Sequence, residues 1–330
     1  MKALFIGGTG NISSACSKLA LDRGVELYLL NRGQSLRPLP EGARVINADI
    51  RDPNAAREAL GSLRFDVVAD FIAFTPQHIE TDLQLFRGRT GQYLFISSAS
   101  AYQTPPATLP VTEAAILDNP VWQYSRDKAA CEERLLRAYR EEKFPFTIVR
   151  PSHTYSEVYV PVHGNWTTID RMLRGMPVIV HGDGTSLWTL THSSDFAKGF
   201  VGLLGNSRAI GEAYHITSDE WLTWNQIHEI LAAAVGVQPE LVHVPSDLIA
   251  AYDPIWGESL LGDKAHSFIL DNSKIKRVVP DFVCTTPFSR GAEEIIAWHR
   301  ADPARQKVDE NFNAICERIL SAYAKAWPEK

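Results

Sequence analysis

Little in this chain points to a metal, a membrane or a polyanion. Only four cysteines occur in 330 residues, Cys16, Cys131, Cys284 and Cys316, and they are scattered. None forms a CxxC pair or a Cys/His spacing of the kind that holds zinc, so no metal site is expected and the thiols read as structural, in a reducing compartment. A basic excess is missing too: 33 Lys and Arg stand against 39 Asp and Glu, a formal charge of -6. That balance argues against a mainly electrostatic nucleic-acid binder. No window approaches ~18 uninterrupted apolar residues, so no membrane span is expected. The apolar run after Lys2 is only four residues long before Gly7, too short for a secretory signal. Internal repeats and low-complexity linkers are also lacking, and the expectation is a soluble, cytoplasmic protein.

What is present is a substantial apolar fraction, 45%, with 22% charged residues. This composition and length suit one large α/β core carrying a lobe. The chain opens on Ala3-Leu4-Phe5-Ile6, a short buried strand, followed at once by Gly7-Gly8-Thr9-Gly10-Asn11-Ile12-Ser13. Cys16, Leu19 and Leu21 then mark one face of a helix. Strand, glycine-rich turn and helix form the setting in which such a loop binds a dinucleotide pyrophosphate. The glycines let main chain approach the phosphates, and amides at the helix start meet their charge. The third small residue is Ser13, slightly larger than the usual Gly or Ala.

A second strand, Val25–Leu30, ends at Asn31-Arg32-Gly33. An acidic residue at that point bonds the ribose 2′-hydroxyl of NAD, whereas an arginine accommodates the 2′-phosphate of NADP. Here the acid is absent and Arg32 is present, with Ser35 and Arg37 nearby, which favours NADP over NAD. Arg32 as a solvated loop residue is the alternative. Further strands are expected at Ala43–Asn47, Asp66–Ala73, Tyr93–Ile96 and Phe146–Val149. Helices are expected after Asp52-Pro53, over Pro76–Phe86 and over Trp122–Glu142. The near-continuous apolar run Val67, Val68, Phe71, Ile72 suits a parallel strand buried on both faces. Strands alternating with helices predict an α/β, doubly wound parallel sheet (Rossmann) with a smaller mixed α/β C-terminal lobe. The expected core covers 1–157 with a return segment near 189–216, and the lobe covers 158–188 and 217–330. Beyond Tyr155 the alternation fails. Short strands are read at Val178–Val180 and Thr189–His192, helices at Asp195–Leu204 and Leu222–Val235, and an amphipathic tail from Ala304 to Trp327.

Ser98 ends the fifth strand, and Tyr124 and Lys128 lie four residues apart on one face of the next helix. With the glycine loop, and with Ser97-Ser98-Ala99-Ser100-Ala101-Tyr102, Arg150-Pro151, Gly182-Asp183-Gly184 and Asp195-Phe196-Ala197 in order, the chain resembles the short-chain dehydrogenase/reductase superfamily. Within it, the resemblance is to the extended, NAD-dependent epimerase/dehydratase branch. That resemblance implies Tyr124 as the acid/base at a substrate hydroxyl or ketone. Lys128 would lower the phenol's pKa and bond the nicotinamide ribose, and Ser98 would hold the reacting oxygen. It also implies that Gly7, Gly10, Asn11 and Ile12 contact the pyrophosphate and that Asp49 and Ile50 flank the adenine. Phe71, Ile72 and Ala73 would run under the ribose, with Pro151 beside the nicotinamide. Sugar-nucleotide members carry an arginine after the Gly-Asp-Gly turn, where Trp188 stands here. An indole forms no bidentate pair with phosphate, although Arg171 or Arg174 could substitute. Dehydratase members place an Asp-Glu pair after the catalytic Ser/Thr, where this chain has Ala99-Ser100. Ser100, Trp188, His153 and His192 are the candidate substrate contacts, although a structural role is the favoured reading of each histidine. The function so implied is hydride transfer at a sugar, sugar-nucleotide or sugar-like centre by an oxidoreductase or epimerase. The alternative is a non-catalytic or RNA-associated member, since the glycine loop, Leu222-Thr223-Trp224 and the missing arginine also resemble the plastid stem-loop RNA-binding branch. A homodimer through the helices near 76–86 and 122–142 is expected on the same ground.

Overall fold

The structure is a computed structural model that describes residues 1–34, 37–326 and 328. In its first half strand and helix alternate. β1 (Lys2–Ile6) leads through the glycine turn into α1 (Ser13–Asp22), then come β2 (Glu26–Asn31), β3 (Arg44–Asn47) and α2 (Pro53–Leu60). β4 (Phe65–Asp70), α3 (Pro76–Phe86), β5 (Thr90–Ile96), α4 (Gln123–Glu142) and β6 (Phe146–Pro151) complete this half. Shorter pieces follow: β7 (His153–Tyr155), α5 (Trp166–Leu173), β8 (Val178–His181), β9 (Leu187–Trp188) and β10 (Leu190–His192). After them run α6 (Ser193–Leu203), β11 (Ala213–Ile216), β12 (Leu222–Thr223), α7 (Trp224–Val235) and β13 (Leu241–Val244). The C-terminal part is helical, with α8 (Ser246–Tyr252), α9 (Pro254–Ser259), a π-helical turn at Leu260–Lys264, α10 (Ser273–Val278), α11 (Phe288–Arg300) and α12 (Glu310–Ala324). No helix among the described residues is long and apolar enough to cross a membrane.

Seven strands form one parallel sheet in the order β3-β2-β1-β4-β5-β6-β11. Because strand residues alternate between faces, Phe5 and Leu29 pack with Cys16, Phe196 and Phe200 on the α1/α6 side. Leu4, Ile6 and Val68 pack with Leu83, Cys131 and Leu135 on the α3/α4 side. Both faces are therefore covered, as the apolar strands require. The chain reverses direction across the sheet between β1 and β4, and the crevice at the carboxyl ends of those strands is where such sheets bind ligands. A separate apolar cluster joins α5, α7 and α11 with Trp188, Trp224 and Phe288.

Local chemistry explains most boundaries. Asp52 caps α2 by accepting from the amides of Asn54 and Ala55, at 3.0 and 3.1 Å, ahead of Pro53. The helix expected from Leu222 begins two residues later. Leu222 and Thr223 pair with Trp188 and Leu187 as a two-residue ribbon, and Thr223 with Gln226 forms a capping box that starts α7. The expected Thr189–His192 strand is β10, and a separate strand not foreseen, β9, precedes it; the two pair with different partners. β6 runs on to Pro151, and β11, not foreseen, pairs with it on the outer edge. The amphipathic tail is interrupted as well. A 3₁₀ turn at Pro303–Arg305 precedes α12, which Asp309 caps, while Val308 packs into the neighbouring cluster instead of the helix stripe. Trp327 lies outside the described residues.

Candidate active site

The glycine turn is built by close approach. Gly7 has φ +80°, and a Cβ there would stand 2.6 Å from Ile72 Cγ2. Ser13, the oversized third small residue, ties the turn together: its hydroxyl donates to Gly7 O at 2.6 Å and accepts from Gly10 N at 2.7 Å. The Asn11 carboxamide docks the turn onto the segment after β6, donating to Thr154 O at 3.1 Å and accepting from Ser156 Oγ at 2.5 Å. At the end of β2, Asn31 Nδ2 is buried without a partner among the described residues. A glycine cradle that excludes a Cβ and an unpaired buried donor where the adenosine ribose would sit both fit a dinucleotide.

The flanking expectations fall around this turn. Arg32 is largely exposed and lies 3.9 Å from Asp49, whose Oδ1 also accepts from Arg51 N at 2.9 Å; Ile50 is buried beside them. Arg37 Nη1 donates to Gly10 O at 2.7 Å. Ser35 lies outside the described residues. Below the turn, Asp70 is fully buried and accepts from Ile72 N and Ala73 N at 2.6 and 2.8 Å. It thus shapes the Phe71–Ala73 bend at the end of β4.

Tyr124 and Lys128 meet the end of β5 from the first turns of α4. Lys128 is buried, with Nζ donating to Ala73 O and to Ile96 O, both at 2.7 Å. An ammonium has three donors, so one remains for a ligand hydroxyl. Burial lowers its pKa to about 8. Lys128 Nζ stands 5.8 Å from the centre of the Tyr124 ring. The expectation that it lowers the phenol is not met in the protein by itself. Burial pushes Tyr124 up to about 12, with the nearby Ser98 hydroxyl working the other way. Lys128 is turned onto two carbonyls, and desolvation is the largest influence on the phenol. Behind Ser98 runs a hydroxyl chain: Ser98 Oγ and Ser100 Oγ are 2.9 Å apart, and Ser125 Oγ donates to Ser100 Oγ at 2.8 Å. A buried ion pair fixes the helix that carries Tyr124. Arg150, at the end of β6, donates from Nε at 2.9 Å and from Nη2 at 2.5 Å to the Glu132 carboxylate.

A cavity of about 660 Å³ joins these groups, from Asn11 and Ile12 past Phe71, Ser98, Ser100, Tyr124, Lys128 and Pro151 to His153 and Trp188. Trp188 donates through its indole N–H to His153 Nδ1 at 3.3 Å, and burial lowers His153 to about 3, so this histidine is neutral. His192 is not on the cavity wall. Its Nδ1 lies 2.7 Å from Ser194 Oγ and caps α6, and its ring packs edge-on against Tyr155. Its place is structural, since the amide and hydroxyl of Ser194 claim Nδ1. Arg171 reaches the cavity wall, but its guanidinium is held by Pro177 O, Asn313 and Glu317. Arg174 is off the wall, paired with Asp170. Neither replaces the missing phosphate clamp. Sequence reasoning did not find the far end of this cavity, where Trp122, Trp224, Trp256, Asp263 and Lys264 stand. The tryptophans' only sequence signal is their abundance, eight in the chain, and the five residues come together from four separate parts of the chain. Among the described residues no group of three or more His, Cys, Asp or Glu side chains is placed to hold a metal ion.

Comparison with known proteins agrees with this geometry. The chain is 27% identical to the 2'-dehydrokanamycin reductase of Streptomyces kanamyceticus over 255 residues, 76% of this chain and 71% of that protein. It is 28% identical to the chloroplast stem-loop binding protein of 41 kDa b of Arabidopsis thaliana over 258 residues, 73% of this chain and 65% of that one. The fold is similar to that of an epimerase from Methanothermobacter thermautotrophicus, with a TM-score of 0.74 and 17% identity over 96% of this chain and 94% of the other. The model of the NAD dependent epimerase/dehydratase family matches residues 3–217. This protein belongs to the NAD-dependent epimerase/dehydratase family, the extended branch of the short-chain dehydrogenases/reductases.

Proposed function

We propose that the protein is an NADP-preferring oxidoreductase or epimerase acting at a hydroxyl or ketone centre of a sugar, sugar nucleotide or sugar-like substrate. The observation that carries this reading is the single cavity shared by the glycine-turn residues Asn11 and Ile12 and by Ser98, Tyr124 and Lys128. In it, residues 1–157 with 189–216 hold the cofactor, and 158–188 with 217–330 hold the substrate. A bound nicotinamide dinucleotide supplies or takes the hydride. The chain's own groups do the rest. Amides of the Gly7–Ile12 turn meet the pyrophosphate, the third donor of Lys128 holds a ribose hydroxyl, and Pro151 walls the nicotinamide side. Ser98 donates to the reacting oxygen and keeps it against Tyr124 Oη, which gives or takes that oxygen's proton. A phenol held near pKa 12 is protonated at neutral pH, which suits donation to a ketone oxygen, the reductive direction. That direction is also the one in the name of the Streptomyces relative. Arg32 and Arg37, with Asn31 in place of an acid, support NADP.

Thermal-shift titration with NADP(H) and NAD(H), then turnover with a keto-sugar panel that includes 2'-dehydrokanamycin, tests this. Tyr124→Phe is expected to lower turnover at least ~100-fold while keeping the NADPH-induced shift. Wild-type turnover in that variant removes Tyr124 from the chemistry. Cofactor that stays bound through purification marks an epimerase, and cofactor that exchanges freely marks a dehydrogenase or reductase. The likeness to the Arabidopsis stem-loop binding protein favours a second reading, RNA association without turnover. Salt-sensitive binding of a stem-loop RNA at physiological ionic strength, with no turnover of the panel, would establish it.

A further inference from the structure

The far wall of the cavity is the π-helical turn Leu260–Lys264, held in place from two sides. On one side, Asn119 Nδ2 donates to Gly262 O at 2.6 Å and to Ser100 O at 2.8 Å. One carboxamide thus ties the turn to the serine chain behind Ser98. On the other side, Lys264 O lies 3.0 Å from His181 Nε2 and accepts from Ser186 Oγ at 3.2 Å. Gly262 sits so close to Trp122 that a Cβ would be 2.8 Å from that residue's own Cβ. A π turn is an uncommon device that re-aims side chains at working sites.

What this turn aims inward is Asp263. Its carboxylate is buried on the cavity wall with Oδ2 3.2 Å from Lys264 Nζ, while Oδ1 has no protein partner among the described residues. Lys264 Nζ lies 5.4 and 5.7 Å from the ring centres of Trp122 and Trp188. Asp263 and Tyr124 both line this cavity, so acceptor and acid/base share one space. Of the cations at this end, the Lys264 ammonium is already paired with Asp263. His163 and His181 are held at about 4 by burial and are neutral, and the Arg171 fork is spent on the protein. A buried acceptor carrying a free lone-pair oxygen, beside indole faces and away from any anion clamp, matches a ring that presents hydrogen-bond donors on its edge and C–H on its face.

We propose that Asp263 is the specificity-determining acceptor for an unphosphorylated sugar or cyclitol ring, whose hydroxyl or ammonium donates to Oδ1 while its apolar face lies on Trp122 and Trp188. This rests on the reading of the cavity as a redox site and narrows its substrate to a ring without a nucleotide. A nucleotide diphosphate would bring at least two negative charges to a wall where the Lys264 ammonium is already matched by the Asp263 carboxylate and no guanidinium fork is free.

Binding is measured on the Tyr124→Phe protein saturated with NADPH, so that no turnover is needed. The probes are D-glucose, D-glucosamine, 2-deoxystreptamine and UDP-glucose. At least one of the three unphosphorylated rings is expected to give a saturable thermal shift larger than that of UDP-glucose. Glucose against glucosamine separates a hydroxyl donor from an ammonium donor. Adding Asp263→Asn is expected to weaken that binding about 10- to 100-fold, the range for a hydrogen bond to a charged group, with the NADPH shift unchanged. The ranking of probes in the Asp263-containing protein needs no second substitution, so it stands even if that variant folds poorly. A larger shift with UDP-glucose, no shift with any of the three rings, or equal ring affinity in Asp263→Asn overturns the proposal. A protein that does not bind NADPH overturns the redox reading instead.

Discussion

Lys128 shows how one buried charge serves a site at a cost to the fold. Its pKa in the folded protein is about 8, against 10.5 for the free side chain, and desolvation is the main cause. Between those two values the unfolded chain holds a proton that the folded protein has released. The unfolded state then binds more protons, and stability rises with pH across that window. Below pH 8 both states are protonated and the full penalty applies. The rise is of order 3 kcal/mol at ~1.4 kcal/mol per pKa unit. Urea midpoints taken from pH 8 to 10.5 should climb in the wild type relative to Lys128→Met, which has nothing to titrate. Parallel curves for the two proteins would show that the ammonium is better solvated than its burial indicates. The same residue scale explains the one reversed electrostatic expectation. Tyr124 and Lys128 are neighbours by helical spacing, yet the lysine is turned onto two carbonyls and the phenol is governed by burial.

At the scale of elements, α4 carries Tyr124, the proposed acid/base, and its orientation depends on Arg150 and Glu132. Both are almost completely buried, and Arg150 Nη1 also donates to Tyr102 Oη at 2.6 Å and to Glu113 O at 3.0 Å. Replacing one partner leaves the other charge buried and unmatched. Arg150→Met should therefore cost about 3–5 kcal/mol in urea unfolding, and Glu132→Leu added to it should restore part of the loss. A cost below ~1 kcal/mol would mean that Glu132 reaches water or another donor. Elements with strong local instructions were legible from sequence. α3 begins and ends at Pro76 and Phe86 as expected, because a proline opens it and its apolar face is periodic. α2 follows from Asp52-Pro53 in the same way. The two-residue strands β9 and β12, the edge strand β11 and the π turn were not legible. Such pieces carry too few residues for a period, and their pairing partners lie far along the chain.

For the whole molecule, the resemblance to the family carries one expectation that the single chain leaves open, a homodimer through α3 and α4. Sedimentation at micromolar concentration should give twice the monomer mass, and charge reversals on the outward faces of those two helices should shift it toward monomer. A strict monomer would contradict the pairing. The sequence by itself determined the parallel sheet, the glycine turn and the place of Tyr124 and Lys128 on one helix face. Each of these is a local pattern: continuous apolar strands, a strand-to-helix turn needing small residues, and a spacing of one helical turn. Only the tertiary structure decided which wall each side chain joins. It sent His192 to cap α6, spent Arg171 on Pro177 and Glu317, paired Trp188 with His153, and brought Asp263 to the cavity that Tyr124 lines. Those outcomes depend on competition among distant groups for the same hydrogen-bond partners and the same buried space, and no stretch of chain holds that information alone.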